Sequence, residues 1–135
     1  MQRLSILLNV LLASTLAALA SPLPDTNLLD KRITHDGRGT WYEPGLGACG
    51  FTDSASDPVL AIGQGRYGDG GNCNQWVQIT NTATGATAFG LTRDECESCS
   101  TEDLDMSPSL FQQLGNLDQG VLSISWHFQP KGWQP

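Results

Sequence analysis

The side chains with the greatest chemical potential lie between residues 94 and 105. Asp94 and Asp105 flank a loop that also contains a Cys-x-x-Cys motif. Glycoside hydrolysis needs two carboxyl groups, one as the acid and one as the base or nucleophile. Asp94 and Asp105 are therefore candidate catalytic residues if folding brings them together. The alternative for both is structural, because aspartates beside strands and helices commonly accept hydrogen bonds from loop amides.

The cysteines predict disulfide bonds rather than a metal site. An even number of cysteines in an exported chain is typical of disulfides. Zinc would normally need a second Cys-x-x-Cys pair or paired histidines, whereas the only histidines are His35 and His127. A thioredoxin-like redox role is a weaker alternative. We predict no metal and no cofactor, and spacing alone leaves all three pairings open for Cys49, Cys73, Cys96 and Cys99.

The N-terminal residues have the pattern of an export signal. A basic start, Met1-Gln2-Arg3, precedes the apolar run Leu4–Leu19, and Ala18-Leu19-Ala20 fits a small-residue cleavage site. A membrane anchor is the alternative, but the run is short for a span of about 20 residues. We therefore predict a signal peptide over residues 1–20 and an extracellular location.

A second processing step is predicted between residues 21 and 32. This Pro-containing segment has no clear periodicity and ends in Lys31-Arg32, a dibasic pair of the kind that kexin-type secretory proteases cut. An ordinary charged linker is the alternative. We expect residues 21–32 to be a pro-segment and residues 33–135 to form one domain.

This domain is acidic. Residues 33–135 keep four of the seven Lys and Arg residues and twelve of the 14 Asp and Glu residues, a formal net charge of −8. Nucleic acids and anionic membranes are bound through basic patches, so neither is an expected partner. We expect a monomer, with a solvated acidic rim formed by Glu95, Glu97, Glu102 and Asp103.

Short strands are the elements expected to position these groups. Ser107 and Pro108 have the residue types of a helix start, and they predict one short helix over Ser109–Leu114. His35–Gly37 and Gly65–Asn72 are predicted loops. Several short strands and one helix favour a small closed barrel. The predicted strands are Gly39–Tyr42, Val59–Ile62, Trp76–Thr80, Ala86–Leu91 and Val121–Phe128.

Several of these segments together resemble one known superfamily. Gly39–Gly50 resembles the opening of fungal rare-lipoprotein-A-like proteins, and residues 80–86 with 94–96 resemble a hairpin of barwin. Leu104–Pro108 with Phe111 and residues 120–126 resembles the closing part of expansin first domains. The resemblance implies a mainly β fold, a six-stranded double-psi β-barrel with a groove across one face.

The resemblance also implies residue roles. Thr40 and Tyr42 would line the groove together with Asp94 and Asp105, while Trp41 would point to the opposite face. The cysteine pairing implied is Cys49 with Cys73 and Cys96 with Cys99.

The resemblance favours binding over catalysis. The His-Phe-Asp motif of expansins is absent, and no histidine occupies a convincing groove position. We therefore expect a non-catalytic protein that binds a cell-wall polysaccharide or an extracellular protein through its groove. One alternative is a protease inhibitor or effector-like protein, with Gly65–Asn72 as the binding loop. The other is a weak glycan-cleaving enzyme that uses Asp94 and Asp105.

Overall fold

The computed structural model describes residues 33–135, so the predicted signal peptide and pro-segment lie outside the described residues. Within them, the chain forms six strands and three short helical segments. The strands are β1 (His35–Trp41), β2 (Val59–Gly63), β3 (Trp76–Asn81), β4 (Thr87–Cys96), β5 (Leu104–Met106) and β6 (Leu122–Phe128). The helical segments are α1 (Gln64–Tyr67), α2 (Pro108–Gln112) and a 3₁₀ turn (Leu117–Gln119).

The strands close into a barrel in the spatial order β1-β5-β2-β4-β3-β6, which confirms the predicted fold class. β1 with β5 and β2 with β4 are parallel pairs, whereas the other four pairs are antiparallel. A closed barrel leaves no strand edge unpaired, so a small domain of this kind resists edge-to-edge association.

The core fills the barrel interior. β2 is buried along its whole length, and β3 and β6 alternate buried and partly exposed residues as strands with one solvent-facing side do. Gly90 on β4 leaves space for core leucines, because a Cβ there would lie 2.8 Å from Leu60 Cδ2 and would also clash with Leu110. The largest fully buried side chains include Trp126, Phe111, Leu60, Ile62 and Ile79.

The predicted start of α2 is confirmed. The Ser107 hydroxyl accepts a hydrogen bond from the Leu110 amide at 3.3 Å, and Pro108 occupies the first turn. The helix ends at Gln112, two residues before the predicted end. The prediction of a single helix is wrong in number, because α1 and the 3₁₀ turn accompany α2.

Two strand assignments from the sequence are also wrong. His35–Gly37 is not a loop but the first half of β1, where Gly37 pairs with Ile124 of β6. A Cβ at Gly37 would clash with the Glu102 carbonyl, so glycine permits a close approach that looks like a loop signal in sequence. β5 was missed because three residues are too few to show a period.

Both disulfides have the pairing that the resemblance implied. Cys49 is bonded to Cys73 and Cys96 to Cys99. The first ties the loop before β2 to the loop after α1, and the second closes a turn after β4. No helix within residues 33–135 has the length and hydrophobicity needed to cross a membrane.

Candidate functional site

Four strands align the predicted groove residues in one row. Thr40 on β1 pairs with Asp105 on β5, and Asp105 pairs with Ala61 on β2. Ala61 in turn pairs with Asp94 on β4. Because neighbouring strands lie about 4.8 Å apart, the Cα atoms of Asp94 and Asp105 are separated by two spacings, about 9.6 Å. Leu104 and Met106 point into the core, so the alternation of β5 directs Asp105 to the outer surface.

A β-bulge at Arg93 places Asp94 on that surface. Leu60 pairs with Thr92, but the next β2 residue, Ala61, pairs with Asp94, so the register skips Arg93. In a regular strand, residues 92 and 94 would share a face. The extra residue lets Thr92 face the core, where it is fully buried, while Asp94 faces outward.

Asp105 is held in position but not neutralised by a cation. Its Oδ1 accepts a hydrogen bond from the Thr40 hydroxyl at 2.9 Å. Burial raises the pKa of Asp105; the Thr40 hydrogen bond opposes this rise, and the nearby charge of Asp94 adds to it. Within residues 33–135, Oδ2 of Asp105 accepts no hydrogen bond and is available to a ligand.

Asp94 has a structural task as well. Its Oδ1 accepts from the amides of Ala48 and Glu95, both at 2.8 Å. The first bond fixes the Gly-rich loop at residues 45–50 against β4. Oδ1 of Asp94 therefore has the structural role that we gave as the alternative to a site role, because it accepts hydrogen bonds from loop amides. Oδ2 of Asp94 accepts no hydrogen bond within the described residues.

Tyr42 completes the row at the end of β1. Its side chain is half-buried, and its backbone amide donates to the Met106 carbonyl at 2.9 Å. Burial raises the pKa of Tyr42 well above its ordinary value, and the charges of Asp94, Asp105 and Asp53 raise it further. The phenol is thus neutral and can donate its proton to a ligand oxygen. Trp41 faces away, where its indole donates to the Leu117 carbonyl at 3.1 Å.

A stacked aromatic ring beside this row was not predicted from the sequence. The Arg93 guanidinium lies 3.9 Å from the centre of the Phe51 ring and is fixed by Asp53 and by Asn74 Oδ1. Phe51 is 43% exposed, and Arg93 covers one face of its ring. No sequence signal indicates this contact, since Arg93 and Asp53 are 40 residues apart.

The loop that carries Phe51 is braced on both sides. Leu46 forms a bridge with Thr52, and the Gly47 amide donates to the Phe51 carbonyl at 2.9 Å. The Cys49–Cys73 disulfide and a hydrogen bond from the Tyr67 hydroxyl to the Ala48 carbonyl attach the loop to residues 64–73. Leu46, at the bridge that closes this loop, is 76% exposed.

Two of the four residues expected to form a solvated acidic rim, Glu102 and Asp103, instead make hydrogen bonds within the fold. Glu102 bonds His35 and Arg66, and Asp103 accepts from the Arg38 and Ser100 amides. These two carboxylates fix the loop before β5 rather than only facing solvent. Among residues 33–135, no group of three or more His, Cys, Asp or Glu side chains could hold a metal ion.

Comparison with known proteins identifies the superfamily. No protein-family model matches the chain. The Papain inhibitor of Streptomyces mobaraensis is 32% identical over 99 residues, which cover 68% of this chain and 69% of that protein. Allergen Asp f 7 of Aspergillus fumigatus is 33% identical over 99 residues but is covered only to 36% of its length.

Solved structures agree. The Streptomyces papain inhibitor superposes with a TM-score of 0.64 at 31% identity, over 73% of this chain and 96% of that one. A mutant Clavibacter michiganensis expansin in complex with cellohexaose has a TM-score of 0.67 at 24% identity, and 54% of it is covered. The chain belongs to the double-psi β-barrel superfamily that includes the papain inhibitor, barwin and expansin first domains. It spans about half of the expansin and about a third of the allergen.

Proposed function

We propose that this chain is an extracellular, non-catalytic binding protein whose groove binds a neutral cell-wall polysaccharide. The observation that carries the proposal is the row of Thr40, Asp105 and Asp94 beside Tyr42. Each carboxylate is fixed through one oxygen and keeps the other for a ligand hydroxyl. Such preorganised acceptors lose little freedom on binding.

The partly exposed ring of Phe51 extends this groove. Aromatic rings stack on the apolar faces of sugar rings, and Arg93 holds this ring in place. The superfamily relationship agrees with a glycan ligand, since the related expansin structure contains cellohexaose. The formal net charge of residues 33–135, −8, favours neutral over anionic polymers as ligands. Two disulfides suit an oxidising extracellular compartment.

Binding without turnover is expected from the arrangement of the two acids. One oxygen of Asp94 is committed to loop amides, which is the behaviour of an anchor. Hydrolysis would need both acids to act on the same glycosidic bond. Measuring products as well as binding therefore separates the non-catalytic proposal from the glycan-cleaving alternative.

The test is a pull-down of residues 33–135 with cellulose, chitin, β-glucan and peptidoglycan, with soluble sugars measured by mass spectrometry. We expect the wild-type protein to be found in the pellet of at least one polysaccharide and to release no soluble sugar from it. Tyr42→Ala and Phe51→Ala should each weaken binding by about tenfold, a typical loss for a stacking contact of 1–2 kcal/mol. Val121→Ala is the matched control, because Val121 has the same exposed fraction as Phe51, 43%, and no ring.

Each possible outcome decides between the alternatives. Unchanged binding of both aromatic variants would refute the groove as the glycan site. Sugar release by wild type but not by Asp105→Asn would replace binding with catalysis. Absence from every pellet would refute the polysaccharide proposal.

A second candidate function, protease inhibition, is favoured by one specific observation. Leu46 is 76% exposed in a loop held rigid by a disulfide and by the bridge that Leu46 itself forms with Thr52. A rigid loop with an exposed apolar side chain can enter a protease cleft at a small entropic cost. The exposed apolar side chain lies on residues 45–52 rather than on the expected loop, because Gly65–Asn72 exposes only polar and small residues. The relationship to the Papain inhibitor agrees with this candidate.

The corresponding assay measures inhibition of papain by residues 33–135. If the loop inhibits, Leu46→Asp should raise the inhibition constant by about 100-fold or more, since it puts a charge into an apolar contact. Val121→Asp is the control: it adds a negative charge at another exposed apolar residue, and it should leave the inhibition constant unchanged. Equal inhibition by wild type and Leu46→Asp, or none by wild type, would refute this candidate.

A further inference from the structure

A cavity of about 300 Å³ lies at the other end of β1 from the groove. His35, on its wall, precedes Thr40 by five residues, so the two sites are about 17 Å apart along the strand. The cavity is independent of the proposed glycan site. It is lined by Ile33, His35, Gly65, Arg66, Asn72 and Phe128.

The polar wall of this cavity is a connected network. The His35 Nδ1–H donates to Glu102 Oε2 at 2.8 Å, and Arg66 donates to Glu102 Oε1. Arg66 Nε also donates to the Thr101 carbonyl at 2.7 Å. The indole of Trp126 packs against both side chains, 4.3 Å from the His35 ring and 5.3 Å from the guanidinium. The side chain of His35 is only 10% exposed, so its orientation is fixed.

This network leaves donors for a ligand. Because Glu102 takes Nδ1, the second ring nitrogen of His35, Nε2, remains for the cavity. Within the described residues the Nη1 group of Arg66 makes no hydrogen bond. An imidazole and a guanidinium together match a carboxylate. The apolar walls, Ile33 and Phe128, suit a ligand with an apolar body.

The balance of charges in the cavity links the binding of a carboxylate to the uptake of a proton. Arg66 and Glu102 cancel one another, so a bound carboxylate would add an unpaired negative charge to a half-buried site. Protonation of His35 at Nε2 removes this imbalance and turns Nε2 into a donor. The charged groups that face His35 are Glu102 from the loop before β5 and Arg66 from α1, while β6 presents the uncharged rings of Trp126 and Phe128.

We propose that this cavity binds a small organic acid with an apolar body, and that binding takes up one proton on His35. The carboxylate accepts from Arg66 and from His35 Nε2–H, and the apolar body packs against Ile33 and Phe128. The proton comes from solvent and no covalent bond changes. This site requires neither the groove nor the Leu46 loop.

Phenylacetate and its neutral isostere phenylacetamide are suitable probes. We expect phenylacetate to bind residues 33–135 with a dissociation constant of roughly 1 mM at pH 5.5, an ordinary affinity for a ligand of ten heavy atoms. Because binding takes up one proton, the affinity should fall as pH rises, by at most about tenfold per pH unit. NMR shifts of the His35 ring and the Trp126 indole N–H would locate the ligand, and phenylacetamide should bind at least tenfold more weakly at pH 5.5.

Variants and controls separate the site from general effects of pH. His35→Gln should remove the pH dependence, and Arg66→Gln should weaken binding about tenfold or more. His127→Gln and Arg38→Gln are the matched controls, because they remove the other histidine and another cation of the same domain. If His35→Gln does not fold, the wild-type comparison of the two probes across pH decides. Equal affinity for both probes, pH-independent binding, or no shifts at 20 mM phenylacetate (roughly twenty times the expected constant) would overturn the proposal.

Discussion

Asp105, a predicted groove residue, is a carboxylate that the fold partly excludes from water. Burial and the charge of Asp94 raise its pKa, so the folded protein favours the protonated acid. At neutral pH the ionised form therefore opposes folding. A carboxylate that opposes folding in this way agrees with the proposed binding role of Asp105, because binding sites often reduce stability.

Asp105→Asn should raise the melting temperature at pH 7. The amide oxygen can still accept from the Thr40 hydroxyl at the same place, while the buried charge is gone. Because the folded pKa is raised, the gain is present above that pKa and shrinks as pH falls through it. It disappears below the ordinary value of 3.8. Thermal unfolding at pH 7 and pH 3 measures the effect, and equal melting temperatures at pH 7 would contradict it.

Thr92 is a buried residue whose hydroxyl has no hydrogen-bond partner within residues 33–135. Thr92 is 0% exposed, so its unpaired hydroxyl oxygen lowers the free energy of unfolding. Thr92→Val keeps the shape, and we expect it to raise the free energy of unfolding by about 1 kcal/mol. Urea denaturation checks this value. Thr80→Val, at a partly exposed hydroxyl that contacts Thr87, is the control and should change stability by less than about 0.5 kcal/mol.

At the scale of elements, β4 is the strand that joins core and groove. Its bulge at Arg93 turns Thr92 inward and Asp94 outward, and it directs Arg93 to Phe51. One extra residue in the ladder thus positions Asp94 and Arg93 at the candidate site and Thr92 in the core. The β2 residue between Asp94 and Asp105 in the row, Ala61, is small and only 2% exposed.

The two disulfides should differ in their contribution to stability. Cys49 and Cys73 are 24 residues apart, and Cys96 and Cys99 are 3 apart. Loop-closure entropy gives about 3.4 kcal/mol for the first and about 1.6 kcal/mol for the second. The Cys49→Ala/Cys73→Ala variant should therefore lose roughly twice as much unfolding free energy as Cys96→Ala/Cys99→Ala. Urea denaturation of both variants measures the ratio, and a larger loss for the short loop would contradict the entropic argument.

At the scale of the whole molecule, the acidic domain holds two of its four cations, Arg66 and Arg93, in bridging positions. Arg93 fixes Asp53 and the Phe51 ring beside the groove, and Arg66 fixes Glu102 at the opposite end of the barrel. These pairs join loops that are 36 to 40 residues apart in sequence.

Glu102→Gln tests the end that contains the cavity. Desolvation raises the pKa of Glu102, but the His35 hydrogen bond and the Arg66 charge outweigh it, and the net shift is downward. The ionised carboxylate thus stabilises the fold above the ordinary value of 4.5, and this contribution is lost as pH falls through the folded pKa. Glu102→Gln should lower the melting temperature at pH 7 and approach wild type below pH 4.5.

Glu97→Gln is the control for this measurement, because Glu97 is exposed on the turn closed by Cys96 and Cys99. It should change stability by less than about 0.5 kcal/mol. If Glu102→Gln lowers the melting temperature by the same amount at every pH, Glu102 stabilises the fold through packing rather than through its charge.

The sequence alone determined the fold class and most of its elements, because these depend on local patterns. Alternation predicted β3 and β6, the apolar run predicted β2, and Ser107-Pro108 predicted the start of α2. Motif order pointed to the correct superfamily and to the cysteine pairing. The predicted signal peptide and the Lys31-Arg32 cleavage remain predictions.

Only the tertiary structure decided what surrounds each candidate residue. The bulge that exposes Asp94 and the Phe51–Arg93 stack depend on contacts between distant segments, and no local pattern encodes them. The same holds for the cavity, whose network joins His35 to Glu102 across 67 residues. A closed barrel brings residues together by register between strands, and register follows from the packing of the whole core rather than from any single segment.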